Sequence, residues 1–279
     1  MSVLHYLRAR AERQPTGRKK HMGNRRTWYL KCNPGDCASS VVLVGDPARV
    51  RLFAMELSDA RVMAQEREFT TLTGTYQGLP VSVVSIGIGA PVAAIAMEEL
   101  WELGTRVVVR AGTVMALNVA LGDFVLAQGA ARFEGISTAY LPLEFPALAD
   151  ADLFFAFRQV LDEAQVRYHA GLVATSDGFY IQLFHHALPN RKPRRADATL
   201  IERLIEQGVL GADMETSAIY TIGQFLGIKC VSLCVATVDG RTQTIMEPAL
   251  RAEKEKQLVR LALKGLLAFS QRSETREML

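Results

Sequence analysis

The sequence predicts an α/β protein, a single domain with a mixed central β-sheet flanked by helices. Three observations predict it. Short apolar runs of strand type alternate with helical patterns from Ser40 onward, glycine turns recur where a strand hands over to a helix, and the 279 residues are 49% hydrophobic and 22% charged. That composition excludes disorder for the bulk of the chain. An α/β fold absorbs this length around one sheet, so one core is expected. The longest apolar runs, such as 41–44 and 92–97, fall well short of the roughly 20 residues of a membrane-spanning helix. No membrane partner is expected.

Taken in order, residues 1–31 carry nine Lys or Arg against the single acid Glu12, so a net charge of +3 hides an acidic remainder. The leader lacks the serine enrichment of a transit peptide and the interleaved aromatics of a nucleic-acid arm. Residues 1–24 are therefore read as a disordered basic leader, 25–272 as the folded domain and 273–279 as a C-terminal tail, with no nucleic-acid partner. Strands are expected at 41–44, 81–86, 106–110, 124–128, 171–175 and 230–238. Helices are expected at 92–103, where Pro91 opens and Gly104 closes the pattern, and at 151–164, 197–206, 217–226 and 248–269. The stretch 185–195, with His185, His186, two prolines and four basic residues, reads as an exposed flap. Cys32/Cys37 and Cys230/Cys234 lack the C-x-x-C spacing of a zinc or redox site, and reduced thiols in a cytoplasmic protein are expected.

Chemistry concentrates at the turns. Gly45-Asp46-Pro47 follows a buried strand and precedes a helix with Arg49 in its first turn, an arrangement that aims backbone N–H groups and a guanidinium at an anion. Gly87-Ile88-Gly89-Ala90-Pro91 is a second such turn. It is no dinucleotide fingerprint, because Val92 occupies the third glycine position, and no Gly-Lys-Ser/Thr follows to make a Walker motif. Arg110-Ala111-Gly112-Thr113 reads as the end of a third strand, setting a cation and a hydroxyl where α/β ligand sites lie. Three such segments converging predict an anion site.

These residues, with Arg67-Glu68-Phe69-Thr70-Thr71, Glu98-Glu99-Leu100, Pro142-Leu143-Glu144-Phe145-Pro146-Ala147, Ser176-Asp177-Gly178-Phe179-Tyr180, Asp213-Met214-Glu215-Thr216 and Arg241-Thr242-Gln243, run in one order along residues 29–269. In that order the chain resembles the nucleoside phosphorylases of the purine and uridine phosphorylase superfamily, and most of all the uridine phosphorylases. The resemblance implies a pentosyltransferase: inorganic phosphate attacks the anomeric carbon of a nucleoside, giving ribose 1-phosphate and free base. It implies that Gly45, Arg49, Arg110 and Thr113 bind phosphate with Arg67 supplied by a neighbouring subunit, and that Met214 and Glu215 hold the ribose. Arg110, Thr113 and Glu215 are the expected catalytic groups, because a dianion needs cations and N–H donors while an oxocarbenium-like sugar is favoured by anions. A homodimer unit with shared sites follows, with a hexamer as the larger assembly.

The departures from the pattern bear on specificity. Tyr29 stands where the family places a histidine given to the neighbour's ribose. Met115 stands where the base usually lies against glycine. Gln182 and His185 are the available substitutes for a Gln/Arg pair that reads uracil, with Phe179 able to stack on the base and Arg241 a further polar group for it. Asp239 resembles the acid with which purine enzymes protonate their leaving group, and is counted among the catalytic candidates. Val92 replaces a serine of a potassium site beside Glu68, so no metal is expected, and no cofactor beyond phosphate as co-substrate. Uridine or a related pyrimidine nucleoside is the favoured substrate. A purine phosphorylase with Asp239 as general acid, a nucleosidase using water, and a catalytically weak binding member are the alternatives.

Overall fold

The computed structural model describes residues 25–184 and 198–277, so the leader at 1–24, the expected flap and His185 lie outside the described residues. The elements run β1 (Ser40–Val44), α1 (Pro47–Ala54), β2 (Ser58–Glu66), β3 (Phe69–Tyr76), β4 (Leu79–Ser85), α2 (Ala90–Glu102), β5 (Val107–Ala116) and β6 (Phe124–Phe133). They continue with β7 (Ala147–Leu148), α3 (Ala151–Glu163), β8 (Tyr168–Ser176), α4 (Ala198–Glu206), β9 (Gly211–Asp213), α5 (Thr216–Leu226), β10 (Lys229–Asp239) and α6 (Pro248–Glu277). The expected mixed sheet is present, in the order β10-β6-β8-β9-β5-β1-β4-β3-β2. Because β10 also pairs with β5, the strands β5, β9, β8, β6 and β10 close on themselves as a ring, from which β1, β4, β3 and β2 extend.

Strand alternation sorts the core into layers. Val41 and Leu43 of β1 face the side where Met97 of α2 and Ile219 of α5 pack, while Val42 and Val44 face Phe53 of α1, Phe157 of α3 and Leu258 of α6. A third cluster joins Met115 of β5 to Leu200, Ile201 and Leu204 of α4 beside the ring. Full burial of one such side chain stabilises the fold by about 1.5–3 kcal/mol, so the layers hold the strand ends in place.

Three expectations change. The strand carrying Arg110 does not end at Thr113 but runs on to Ala116, because its parallel pairing with β10 continues through a one-residue bulge at Thr237. The hairpin of β2 and β3 was not expected from the sequence; β2 is an edge strand whose only buried residue is Ala64. The last helix continues through Glu277, past its expected end at 269.

Candidate active site

A cavity of about 730 Å³ opens where β1, β4, β9 and β10 deliver their carboxyl ends, beside the second half of β5. Asp46 caps α1 by accepting the Ala48 N–H at 2.8 Å, and Pro47 opens the helix, which puts Arg49 in its first turn and buries it. The β1 and β4 turns approach closely: a Cβ on Gly45 would stand 3.1 Å from the Gly87 carbonyl oxygen. Gly87 has φ +67° and Gly89 φ +106°, a backbone that side chains resist. Both turns line the cavity through Gly45 and Gly87.

Arg110 projects from the middle of β5 on the same strand face as Gly112, and a methyl group at Gly112 would collide with its guanidinium. The glycine is therefore the clearance over which the arginine lies. Arg110 Nη2 donates to Glu215 Oε2 at 2.5 Å and lies 3.2 Å from Asp213 Oδ2, while Nη1 donates to Cys234 Sγ at 2.7 Å. Burial opposes the charge on Arg110, but Cys234, Asp213 and Glu215 outweigh it and hold its pKa above the ordinary arginine range. It is a fixed cation.

Glu215 is the residue preceding α5, yet its side chain does not cap the helix. That task falls to Asp213, which accepts the Thr216 N–H, the Thr216 hydroxyl and the Thr175 hydroxyl. Glu215 is thereby released to cross the cavity, with Oε1 accepting the Gly89 N–H at 2.7 Å and Oε2 the Arg110 bond. Arg49 is 4% exposed; its Nη1 donates to the Ala111 carbonyl and its Nη2 to Glu255, both at 3.2 Å, and its buried Nε has no hydrogen-bond partner among the described residues. A buried donor without a partner is costly, and it marks Arg49 as a cation held at the cavity wall.

The far end of the cavity is apolar, lined by Val114, Met115, Phe179, Leu183, Met214 and Val238. Of the sequence-derived candidates, Gly45, Arg49, Arg110, Thr113, Met115, Phe179, Met214 and Glu215 line this one cavity. Others do not. Gln182 turns inward, its Oε1 accepting from Ser176 Oγ and from the Gly178 N–H at 3.0 Å. Asp239 accepts the Arg241 N–H at 2.9 Å and the Thr242 N–H at 2.7 Å, so it caps the turn after β10, and Arg241 is exposed on that turn. The Thr242 and Arg241 bonds hold the Asp239 carboxyl below the usual aspartate range, the opposite of what a general acid needs. Tyr29 and Arg67 lie together instead, the guanidinium 5.8 Å from the ring centroid, and Arg67 takes φ +53° at the β2–β3 turn. Neither lines the cavity of its own chain.

Sequence reasoning missed Asp213 as the cap that frees Glu215, Gly112 as the clearance for Arg110, and Glu255 as the partner of Arg49. Among the described residues, no group of three or more His, Cys, Asp or Glu is placed to hold a metal ion. No helix among them is long and apolar enough to cross a membrane.

A ringed mixed sheet with two buried arginines at its strand ends is the architecture, and comparison with known proteins gives the class. The family model of the phosphorylase superfamily matches residues 40–268, and the chain belongs to that superfamily. It is 36% identical over 234 residues to the uridine phosphorylase of Thermococcus kodakarensis, covering 83% of each chain. It is 30% identical over 214 residues to a guanosine phosphorylase of Halorubrum lacusprofundi, covering 76% of this chain and 82% of that one. The crystal structure of uridine phosphorylase from Vibrio fischeri superposes with a TM-score of 0.79 at 28% identity, covering 88% of this chain and 99% of the other. The family and enzyme class expected from the sequence, a nucleoside phosphorylase, are borne out.

Proposed function

We propose that the protein cleaves the N-glycosidic bond of uridine or a related pyrimidine nucleoside with inorganic phosphate, releasing the base and ribose 1-phosphate. The observation that carries this reading is one cavity with opposite ends: Arg49, Arg110 and two glycine turns at one, apolar walls at the other. Gly45, Arg49, Arg110 and Thr113 seat the phosphate. Arg110 stabilises its charge without losing its own proton, since its buried neighbours hold it as a cation. Met214 packs under the ribose, and Glu215, anchored by Arg110 and Gly89, offers its remaining lone pairs to the sugar hydroxyls and its charge to the oxocarbenium-like carbon. Phe179 and Met115 enclose a single-ring base by contact rather than by hydrogen bonds.

A water-using nucleosidase has no use for a seat of buried arginines, and the turn-capping role of Asp239 disfavours a purine enzyme built on that acid. In this reading phosphate is a co-substrate and no cofactor is needed. The unit is a homodimer in the cytoplasm, open to assembly into a hexamer. The pairing of Tyr29 with Arg67 off the chain's own cavity supports the sharing of sites, and four free cysteines suit a reducing compartment. The test is release of uracil from uridine over a titration of inorganic phosphate. Strict dependence on phosphate with ribose 1-phosphate as product is expected; turnover in phosphate-free buffer yielding free ribose would refute it.

A further inference from the structure

The last helix supplies a feature that the turns do not explain. Glu255 of α6 presents one carboxylate oxygen, Oε1, to two guanidiniums at once: Arg49 Nη2 at 3.2 Å and Arg251 Nε at 3.2 Å. Arg251 and Glu255 are four apart and so share a helix face, and Arg251, with a side chain 41% exposed, lines the same cavity as Arg49. An acid this close to an anion seat opposes the anion by Coulomb repulsion. Its presence there needs a reason.

We propose that Glu255 is the positioning residue of the phosphate site: it holds Arg49 in place from behind and holds Arg251 beside it as a further cation, which bound phosphate engages. This rests on the phosphorolytic reading above. Arg49 is anchored at both terminal nitrogens, by Ala111 and Glu255, which restrains the guanidinium plane while each terminal nitrogen keeps a second N–H. The Glu255 bond to Arg49 is the buried member of the pair, and the bond to Arg251 is the exposed one, so an incoming dianion competes more easily for Arg251.

Positioning and charge predict opposite signs. If Glu255 were only a nearby negative charge, Glu255→Gln would tighten phosphate binding. Under the proposal it weakens it by about tenfold or more, the loss expected for one charge-assisted contact, in both the phosphate KM and direct calorimetric binding of inorganic phosphate, with the uridine KM unchanged within about twofold. Arg251→Gln weakens phosphate in the same two measurements, and Arg251→Lys restores part of it. Unchanged or tighter phosphate binding in a folded Glu255→Gln overturns the proposal; if that variant does not fold, unchanged phosphate binding in Arg251→Gln overturns it. A parent enzyme without phosphate dependence refutes the phosphorolytic reading and this proposal together. A phosphate-dependent parent whose variants keep their phosphate constants refutes this proposal alone.

Discussion

Glu215 accepts a hydrogen bond from Arg110 at 2.5 Å, between two side chains each less than a tenth exposed. The pair ties β5 to the start of α5 and, in the proposed reading, joins the phosphate end of the cavity to its sugar end. Removing the Glu215 charge while keeping its shape isolates the chemistry: Glu215→Gln can still accept from Gly89. We expect kcat/KM for uridine to fall at least about a hundredfold, roughly 2.7 kcal/mol of transition-state stabilisation. Arg110→Ala is the harsher change, because it leaves Asp213 and Glu215 buried without their cation, and it is expected to destabilise the fold by about 3–5 kcal/mol in denaturant titration.

Gly112→Ala tests the clearance. The added methyl would occupy the space of the Arg110 guanidinium, which must then leave Glu215 and Cys234. Overpacking of this kind costs about 1–3 kcal/mol, and the phosphate KM should rise more than the melting temperature falls. A variant with parental phosphate KM would show that Arg110 does not need that position.

How far the site was legible depended on how local each signal was. The turns at Gly45 and Gly87 and the Arg110-Ala111-Gly112-Thr113 run are contiguous, and the structure brings them together as expected. Glu255 is 206 positions from Arg49, and nothing local links them. Asp213 and Glu215 both stand just before a helix, where acids are favoured, and only the capping bonds of Asp213 separate the two carboxylates. Asp239 failed for the converse reason, since a strand-ending Asp before Gly looks the same in sequence whether it faces a substrate or its own turn. The β2–β3 hairpin escaped because an exposed edge strand needs no apolar alternation, although the Thr-rich β3 carried a strand propensity.

Asp239→Asn should leave uridine turnover nearly intact, as measured by kcat/KM across pH 5–8, because the carboxyl sits on a turn outside the cavity. Its effect should appear in stability. The folded pKa is depressed by the Thr242 and Arg241 bonds, so the charged form stabilises the fold above the unfolded aspartate pKa of about 3.9, and that contribution is lost as pH falls through the lower folded value. The stability difference between parent and Asp239→Asn should therefore shrink in acid below about pH 4. An enzyme that cleaves inosine faster than uridine and loses that activity in Asp239→Asn would restore Asp239 as a general acid.

Met115 both lines the cavity and packs with Leu200, Ile201 and Leu204 of α4. Met115→Gly should enlarge the base end and raise kcat/KM for inosine relative to uridine. It should also cost about 2–5 kcal/mol of stability from the lost core contacts, so the comparison belongs at a temperature where the variant is folded. An unchanged inosine to uridine ratio in the folded variant would remove Met115 as the volume filter.

Arg67 and Tyr29 decide whether sites are shared. Both sit off their own chain's cavity, and Arg67 holds a φ of +53° that a non-glycine residue adopts at a cost of about 1–3 kcal/mol, strain that often accompanies a functional side chain. Arg67→Ala alone should abolish phosphate-dependent turnover, and so should Arg110→Ala alone. If each site takes Arg67 from the neighbour, a dimer of one chain of each kind contains one site with both arginines and one with neither. Co-expression with two different affinity tags allows that mixed dimer to be purified, and its expected activity is about half that of the parent dimer per dimer. If Arg67 instead served its own chain, every site in the mixed dimer would lack one arginine. Purified mixed dimers that are folded yet inactive would then place Arg67 outside the neighbour's site.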